Sequence, residues 1–156
     1  MQSNIDVSVE NRKNSAHLLN LLLADEFVLY AQTLNFHWNV ESLHFRDLHK
    51  FFQDQYEEIL EVVDSVAERV RAIGHHSLGT MQEYLEHTRL IELSGKGLSD
   101  KEMLKKLLED HEAIIRTLRV DQEIAMTEFK DAGTSNFLLN LLEQHEKIAW
   151  MLRSCL

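Results

Sequence analysis

Residues 35–74 read NFHWNVESLHFRDLHKFFQDQYEEILEVVDSVAERVRAIG. Phe45, His49, Phe52, Tyr56, Ile59, Val63, Val66 and Val70 recur at three- to four-residue spacing, the period of one helix face. No proline occurs anywhere in the 156 residues, and the five glycines leave this stripe uninterrupted up to Gly74. The stretch therefore predicts one long helix that ends near Gly74.

The same reading extends in both directions. Leu19, Leu22, Leu23, Phe27, Tyr30 and Leu34 predict an earlier helix from about Val9 to His37, joined to the next by Trp38–Ser42. A third long helix opens at Ser99-Asp100-Lys101-Glu102, where serine and glutamate can satisfy each other's orphan backbone donors. It continues through Leu104, Leu107, Leu108, Ile115, Leu118 and Phe129. A fourth is expected from Thr134 or Ser135 to about Arg153. A second capping box, Thr80-Met81-Gln82-Glu83, predicts a short helix ending near Thr88, inside the long connection between helices 2 and 3. Gly74, Gly79, Gly95, Gly97 and Gly133 all fall in the expected breaks. The fold class is all-α: a ferritin-like four-helix bundle with a long crossover and a short extra helix in it. It forms a single domain over residues 1–156, with a short N-terminal tail of about residues 1–8.

Composition supports a globular domain, with 44% hydrophobic and 27% charged residues. No apolar run approaches the roughly 20 residues needed to cross a bilayer, so no membrane span is expected. The N-terminus lacks a basic region followed by an apolar one, and the single Cys155 fits a reducing compartment, so the expected location is cytoplasmic. A net charge of −10 discourages contact with nucleic-acid phosphates and favours cations as partners.

Within the opening stretch, His37, His49, Asp64 and Glu68 are candidate metal ligands. Histidine and carboxylate together suit iron, zinc or manganese, while one cysteine excludes a thiolate cage. Asp64 and Glu68, at i and i+4, share a helix face. His49 lies fifteen residues before Asp64, or about 22 Å along one helix axis. Metal–ligand bonds are only about 2 Å long, so His49 and Asp64 of one chain cannot share an ion. A second copy, antiparallel across a two-fold axis, brings the His pair of one chain to the carboxylates of the other. A plainer alternative makes Asp64 and Glu68 a solvated face paired with Arg69 and Arg71. His111 and His145 lie on apolar stripes and read as packing residues. His75 and His76, beside Gly74, read as an exposed turn. The spacing Glu-x-x-His occurs once, at Glu41–His44, which does not support a di-iron centre within one chain.

NFHWNV, a second histidine twelve positions after His37, the D-x-x-x-E of DSVAERVRAIG, and the ending HEKIAWMLRSCL together resemble the Dps family of mini-ferritins. The resemblance spans nearly the whole chain. It implies a hollow dodecamer built from two-fold dimers, in which iron(II) is oxidised to iron(III), preferentially by hydrogen peroxide, and stored as mineral. It also implies that His37 and His49 of one subunit, with Asp64 and Glu68 of its partner, bind the iron and carry the oxidation. Three positions depart from the family pattern. Gln53 stands where a carboxylate is usual, four residues after the second histidine. Asn136 stands where the last helix usually opens with an acid, with Glu128 and Asp131 nearby. The tail offers Arg12 and Lys13 offset by Asp6 and Glu10, not a polybasic DNA-binding arm. DNA binding is accordingly expected to be weak. The competing functions are a nucleoid-binding, DNA-protecting structural protein with secondary iron chemistry, and a shell whose metal site has decayed.

Overall fold

Ser8 accepts a hydrogen bond from the Asn11 N–H at 3.1 Å, which opens helix α1, Val9–Asn39. The computed structural model describes residues 3–156, and the first two residues of the tail lie outside them. Helix α2, Phe45–Ala72, follows after a tight connection. It stops at Gly74, whose φ of +91° is left-handed. There the His75 N–H bonds the Val70 carbonyl at 3.1 Å and the Gly74 N–H bonds that of Arg71 at 3.0 Å, the paired closure of a Schellman motif. The short α3, Met81–His87, and the long α4, Asp100–Thr127, both start at complete capping boxes, on Thr80/Glu83 and Ser99/Glu102.

Helix α5, Ala132–Ser154, begins earlier than Thr134. Its cap is Asp131, whose carboxylate accepts from the Thr134 N–H at 2.9 Å. Gly133 therefore lies in the first turn of a helix, not in a break. Its function is clearance, because a Cβ there would meet Nη2 of Arg69 at 2.8 Å. Helix α1 likewise outruns its expected end by two residues, to Asn39.

Side-chain pairs between elements give the topology. Tyr30 meets Tyr56, and His37 meets His49, so α1 and α2 form an antiparallel hairpin. Ser42, at the head of α2, bonds Asp100, at the head of α4, so α4 starts at the same end as α2. Arg69, near the tail of α2, bonds Asp131 and Thr134 at the head of α5. The order is up, down, down, up, with residues 73–99 as the crossover. Outside α3 that segment has no ladder for its backbone groups, and polar side chains of α1 satisfy several of them. Asn20 holds Leu78, Asp25 holds Arg89, and Gln32 grips Leu93 through both amide atoms, at 2.6 and 3.0 Å.

The bundle interior is built from Leu19, Leu22, Phe36, Phe52, Ile59, Leu107, Ile114 and Leu118, all at most 1% exposed. One polar file crosses it. Nε2 of His145 lies 2.8 Å from Oε1 of Glu26, and Nδ1 of His145 lies 2.9 Å from Nδ1 of His111. His111 and His145 are thus packed, as their stripes imply, but they are also hydrogen-bonded across three helices. Burial, with the neighbouring His145, pushes the His111 pKa well below its usual value.

Candidate metal centre

The antiparallel register of α1 and α2 places the rings of His37 and His49 face to face, with centroids 3.8 Å apart and planes inclined by 17°. Each ring is held by the backbone of the other residue. Nδ1 of His37 is 2.8 Å from the His49 carbonyl, and Nδ1 of His49 is 2.8 Å from the His37 carbonyl. A carbonyl oxygen can only accept, so both Nδ1 atoms carry the proton. In the neutral imidazoles both Nε2 atoms then carry lone pairs, the tautomer a metal ion needs, with the orienting bond that metal-binding imidazoles ordinarily receive.

Aromatic rings wedge this pair in place. Phe45 stacks on the outer face of His49 with centroids 5.0 Å apart, and Tyr56 meets His37 edge-on at 5.2 Å. His37 is buried and His49 half-buried. Sequence reading missed Tyr56 as a wall of this site, although it stands seven residues after His49 on the same helix face.

Asp64 and Glu68 are elsewhere on α2, both exposed, with no hydrogen bond or ion pair among the described residues. The two nearby arginines are engaged differently from the plainer alternative. Arg69 bonds Asp131 and Thr134, and Arg71 donates to the His75 carbonyl at 2.8 Å. Asp64 lines a shallow cavity of about 530 Å³ with Tyr84 and the apolar Leu60, Val63 and Ala67. Leu60 of this wall is 45% exposed, and Met81 and Leu85, on the helix that carries Tyr84, are 59% and 55% exposed. Among the described residues, no three His, Cys, Asp or Glu side chains of one chain converge as a metal cage.

The departures from the family pattern also have definite surroundings. Gln53 donates from Nε2 to Oε1 of Glu57 at 2.8 Å, and Asp54 pairs with Lys50. Asp131 is buried, bonded to Thr134 and paired with Arg69. Burial alone would raise its pKa, but the Thr134 hydroxyl and N–H and the Arg69 guanidinium together hold it below the usual value. Glu41 and His44 are exposed at the head of α2 and form no three-ligand cluster with the His pair among the described residues. Arg12 is buried and bonds the Ser3 carbonyl, which removes one of the two cations from the tail surface.

Comparison with known proteins gives a consistent picture. Residues 16–156 match the model of the ferritin-like domain. The chain is 42% identical over 151 residues to a low temperature-induced protein of Nostoc sp., covering 97% of this chain and 84% of that one. It is 37% identical over 144 residues to DNA protection during starvation protein 2 of Bacillus anthracis, covering 92% and 97%. Among solved structures, the Dps protein of Vibrio cholerae O1 superposes with a TM-score of 0.91 at 26% identity, covering 99% and 96%. That protein is described as a member of a broad superfamily of ferritin-like diiron-carboxylate proteins.

Proposed function

The chain belongs to the Dps family of ferritin-like proteins, and from that premise we propose that it oxidises iron(II) with hydrogen peroxide at sites shared between subunits. The ferric product is stored inside a hollow dodecamer assembled from two-fold dimers. The observation that carries this reading is the His37–His49 pair, its rings oriented by reciprocal Nδ1–carbonyl bonds that leave both Nε2 atoms to face a ligand. Such a pair is half of a ligand set. The other half, Asp64 and Glu68, stands about 22 Å along α2, beyond the reach of one ion. A partner helix running antiparallel supplies its own Asp64 and Glu68 to the His pair, and the exposed apolar side chains around Asp64 give that partner a surface to bury.

In this assignment His37 and His49 ligate iron(II) as neutral bases, and Asp64 and Glu68 supply anionic oxygens that lower the charge of the ion. Those oxygens stabilise iron(III) more than iron(II), which favours loss of the electron. DNA protection then comes from removing iron(II) and peroxide rather than from coating DNA. The net charge of −10 and the buried Arg12 support this choice over the nucleoid-binding alternative.

Mixed assemblies test the shared site. His37→Ala/His49→Ala chains and Asp64→Ala/Glu68→Ala chains are each expected to be inactive alone. In a mixed dimer one interface site inherits both defects and the other inherits neither. Co-assembly therefore restores a substantial fraction of peroxide-driven iron oxidation. A mixture that stays as inactive as its parents, with co-assembly demonstrated, rules out ligands that meet across the two-fold axis.

A further inference from the structure

All three tyrosines of the chain lie in one file of rings. The file starts at His37, whose ring meets Tyr56 edge-on at 5.2 Å. Tyr56 meets Tyr30 at 6.2 Å, and Tyr30 meets Phe27 at 5.9 Å. Phe27 stacks on Tyr84 at 4.3 Å with planes inclined by only 15°. Tyr84 then shares the wall of a cavity with Asp64. The file thus begins at the histidine half-site and ends beside the carboxylate half-site of the same chain. Packing alone accounts for edge-to-face and stacked rings between helices. It does not account for every phenol of the chain standing on a single file of rings that joins the two half-sites. The two tryptophans, Trp38 and Trp150, are largely exposed and stand outside it.

We propose that Tyr56, Tyr30 and Tyr84 form a redox relay that couples the two iron sites to which each chain contributes. The proposal rests on the shared-site reading above and adds a function to residues that touch no iron in it. Hydrogen peroxide accepts two electrons, whereas one iron(II) yields one. At a site holding a single ion, iron(II), hydrogen peroxide and the Tyr56 phenol give iron(III), hydroxide, water and the Tyr56 phenoxyl radical. The O–O bond breaks, iron supplies one electron, and the phenol supplies the second electron with its proton. The radical then takes an electron passed along Tyr30, Phe27 and Tyr84 from iron(II) at the other site, together with a proton from solvent. The phenol is restored and a second iron(III) remains. Across the two sites, two iron(II) are consumed per peroxide and no hydroxyl radical is released.

Phe27 is not an oxidisable ring, so the electron crosses it between Tyr84 and Tyr30 in one longer step. Tyr30 is therefore the position at which interruption is felt most. Tyr30→Phe keeps the ring and removes the phenol.

The test uses the assembled shell, loaded anaerobically with one iron(II) per site and mixed with hydrogen peroxide. Freeze-quenched samples are read by electron paramagnetic resonance, iron(III) is counted per peroxide, and escaping hydroxyl radical is caught by a spin trap. The parent protein is expected to oxidise two iron(II) per peroxide with a short-lived tyrosyl signal. In Tyr30→Phe the Tyr56 signal persists and the iron yield per peroxide halves, still without a hydroxyl spin adduct, because Tyr56 continues to supply the second electron. Tyr84→Phe, at the far end of the file, is expected to show the same pattern. Melting curves and particle size confirm that both variants are folded and assembled. The relay is overturned if both variants keep the parent's stoichiometry and radical lifetime, or if no tyrosyl signal forms in any of them. Failure of the shared-site reading has a different signature, namely iron oxidation that survives His37→Ala/His49→Ala.

Discussion

A single neutral amide limits the charge near the His pair. Gln53 lies one helical turn after His49 and is hydrogen-bonded to Glu57, while the next carboxylate round the helix, Asp54, is paired with Lys50. A second dication a few ångströms from the first must overcome strong repulsion, which anionic ligands reduce and an amide oxygen does not. Anaerobic titration of the apo shell is therefore expected to show one tight iron(II) per interface site and a weak second. Gln53→Glu strengthens the second step and speeds the peroxide reaction. Two equally tight ions in the parent would contradict this, and a variant indistinguishable in both readouts would mean that position 53 faces away from the metal. A second residue-scale prediction comes from His111. Its folded-state pKa is depressed by burial, so below the ordinary histidine value of about 6.5 the unfolded chain binds more protons than the folded one. Stability is full above that value and falls with acid. Melting temperature should fall progressively as the pH drops through and below about 6.5, and His111→Gln, which cannot take the proton, should flatten the slope. An equally steep slope in the variant would assign the acid lability to other groups.

At the scale of elements, glycines with different duties respond differently to the same substitution. Gly74 holds a φ of +91° at the end of α2, and a Cβ there would come within 3.1 Å of Ser3. Gly79 precedes α3 with open space around it. Gly74→Ala is expected to cost about 1–2 kcal/mol, the ordinary penalty for a left-handed non-glycine residue, and Gly79→Ala to be near neutral. Thermal melting of the two variants side by side checks this, and equal melting temperatures would show that the Schellman closure is not needed to stop α2. Helices were the legible part of this protein because their signals are local. Two capping boxes and the apolar stripes predicted four of the five starts closely, since each depends on residues within a turn of one another. The start of α5 was not legible in the same way. Gly133 looks like a breaker in sequence, and only the approach of Arg69 from α2, 64 positions away, explains why a helix keeps it. The same divide holds in the candidate site. The histidine and carboxylate spacings could be read along the chain. The reciprocal Nδ1–carbonyl bonds and the wall formed by Tyr56 depend on the register between α1 and α2, which no local signal encodes.

For the whole molecule, charge and apolar surface make opposite demands. A net charge of −10 keeps chains apart and repels duplex DNA, so no gel shift is expected at neutral pH and moderate salt. A shift that weakens steeply with added salt would show a cationic surface where none is expected. Against that repulsion, Leu60 is exposed in the cavity wall it shares with Asp64, Met81 and Leu85 are exposed on the helix that brings Tyr84 to that wall, and large exposed apolar side chains mark a contact surface. If twelve chains of 18.2 kDa close into a shell through this face, then disrupting it should abolish iron oxidation without touching a ligand. Leu60→Glu/Leu85→Glu places charges in the proposed two-fold contact and leaves His37, His49, Asp64 and Glu68 in place. Light scattering should report loss of the dodecamer, and circular dichroism should report that the bundle remains helical. Peroxide-driven iron oxidation should then fall to the level of His37→Ala/His49→Ala, because each chain retains two half-sites about 22 Å apart and no complete one. A helical, dissociated variant that still oxidises iron at the parent rate would show that one chain suffices. An assembled variant with parent activity would move the two-fold contact to another face.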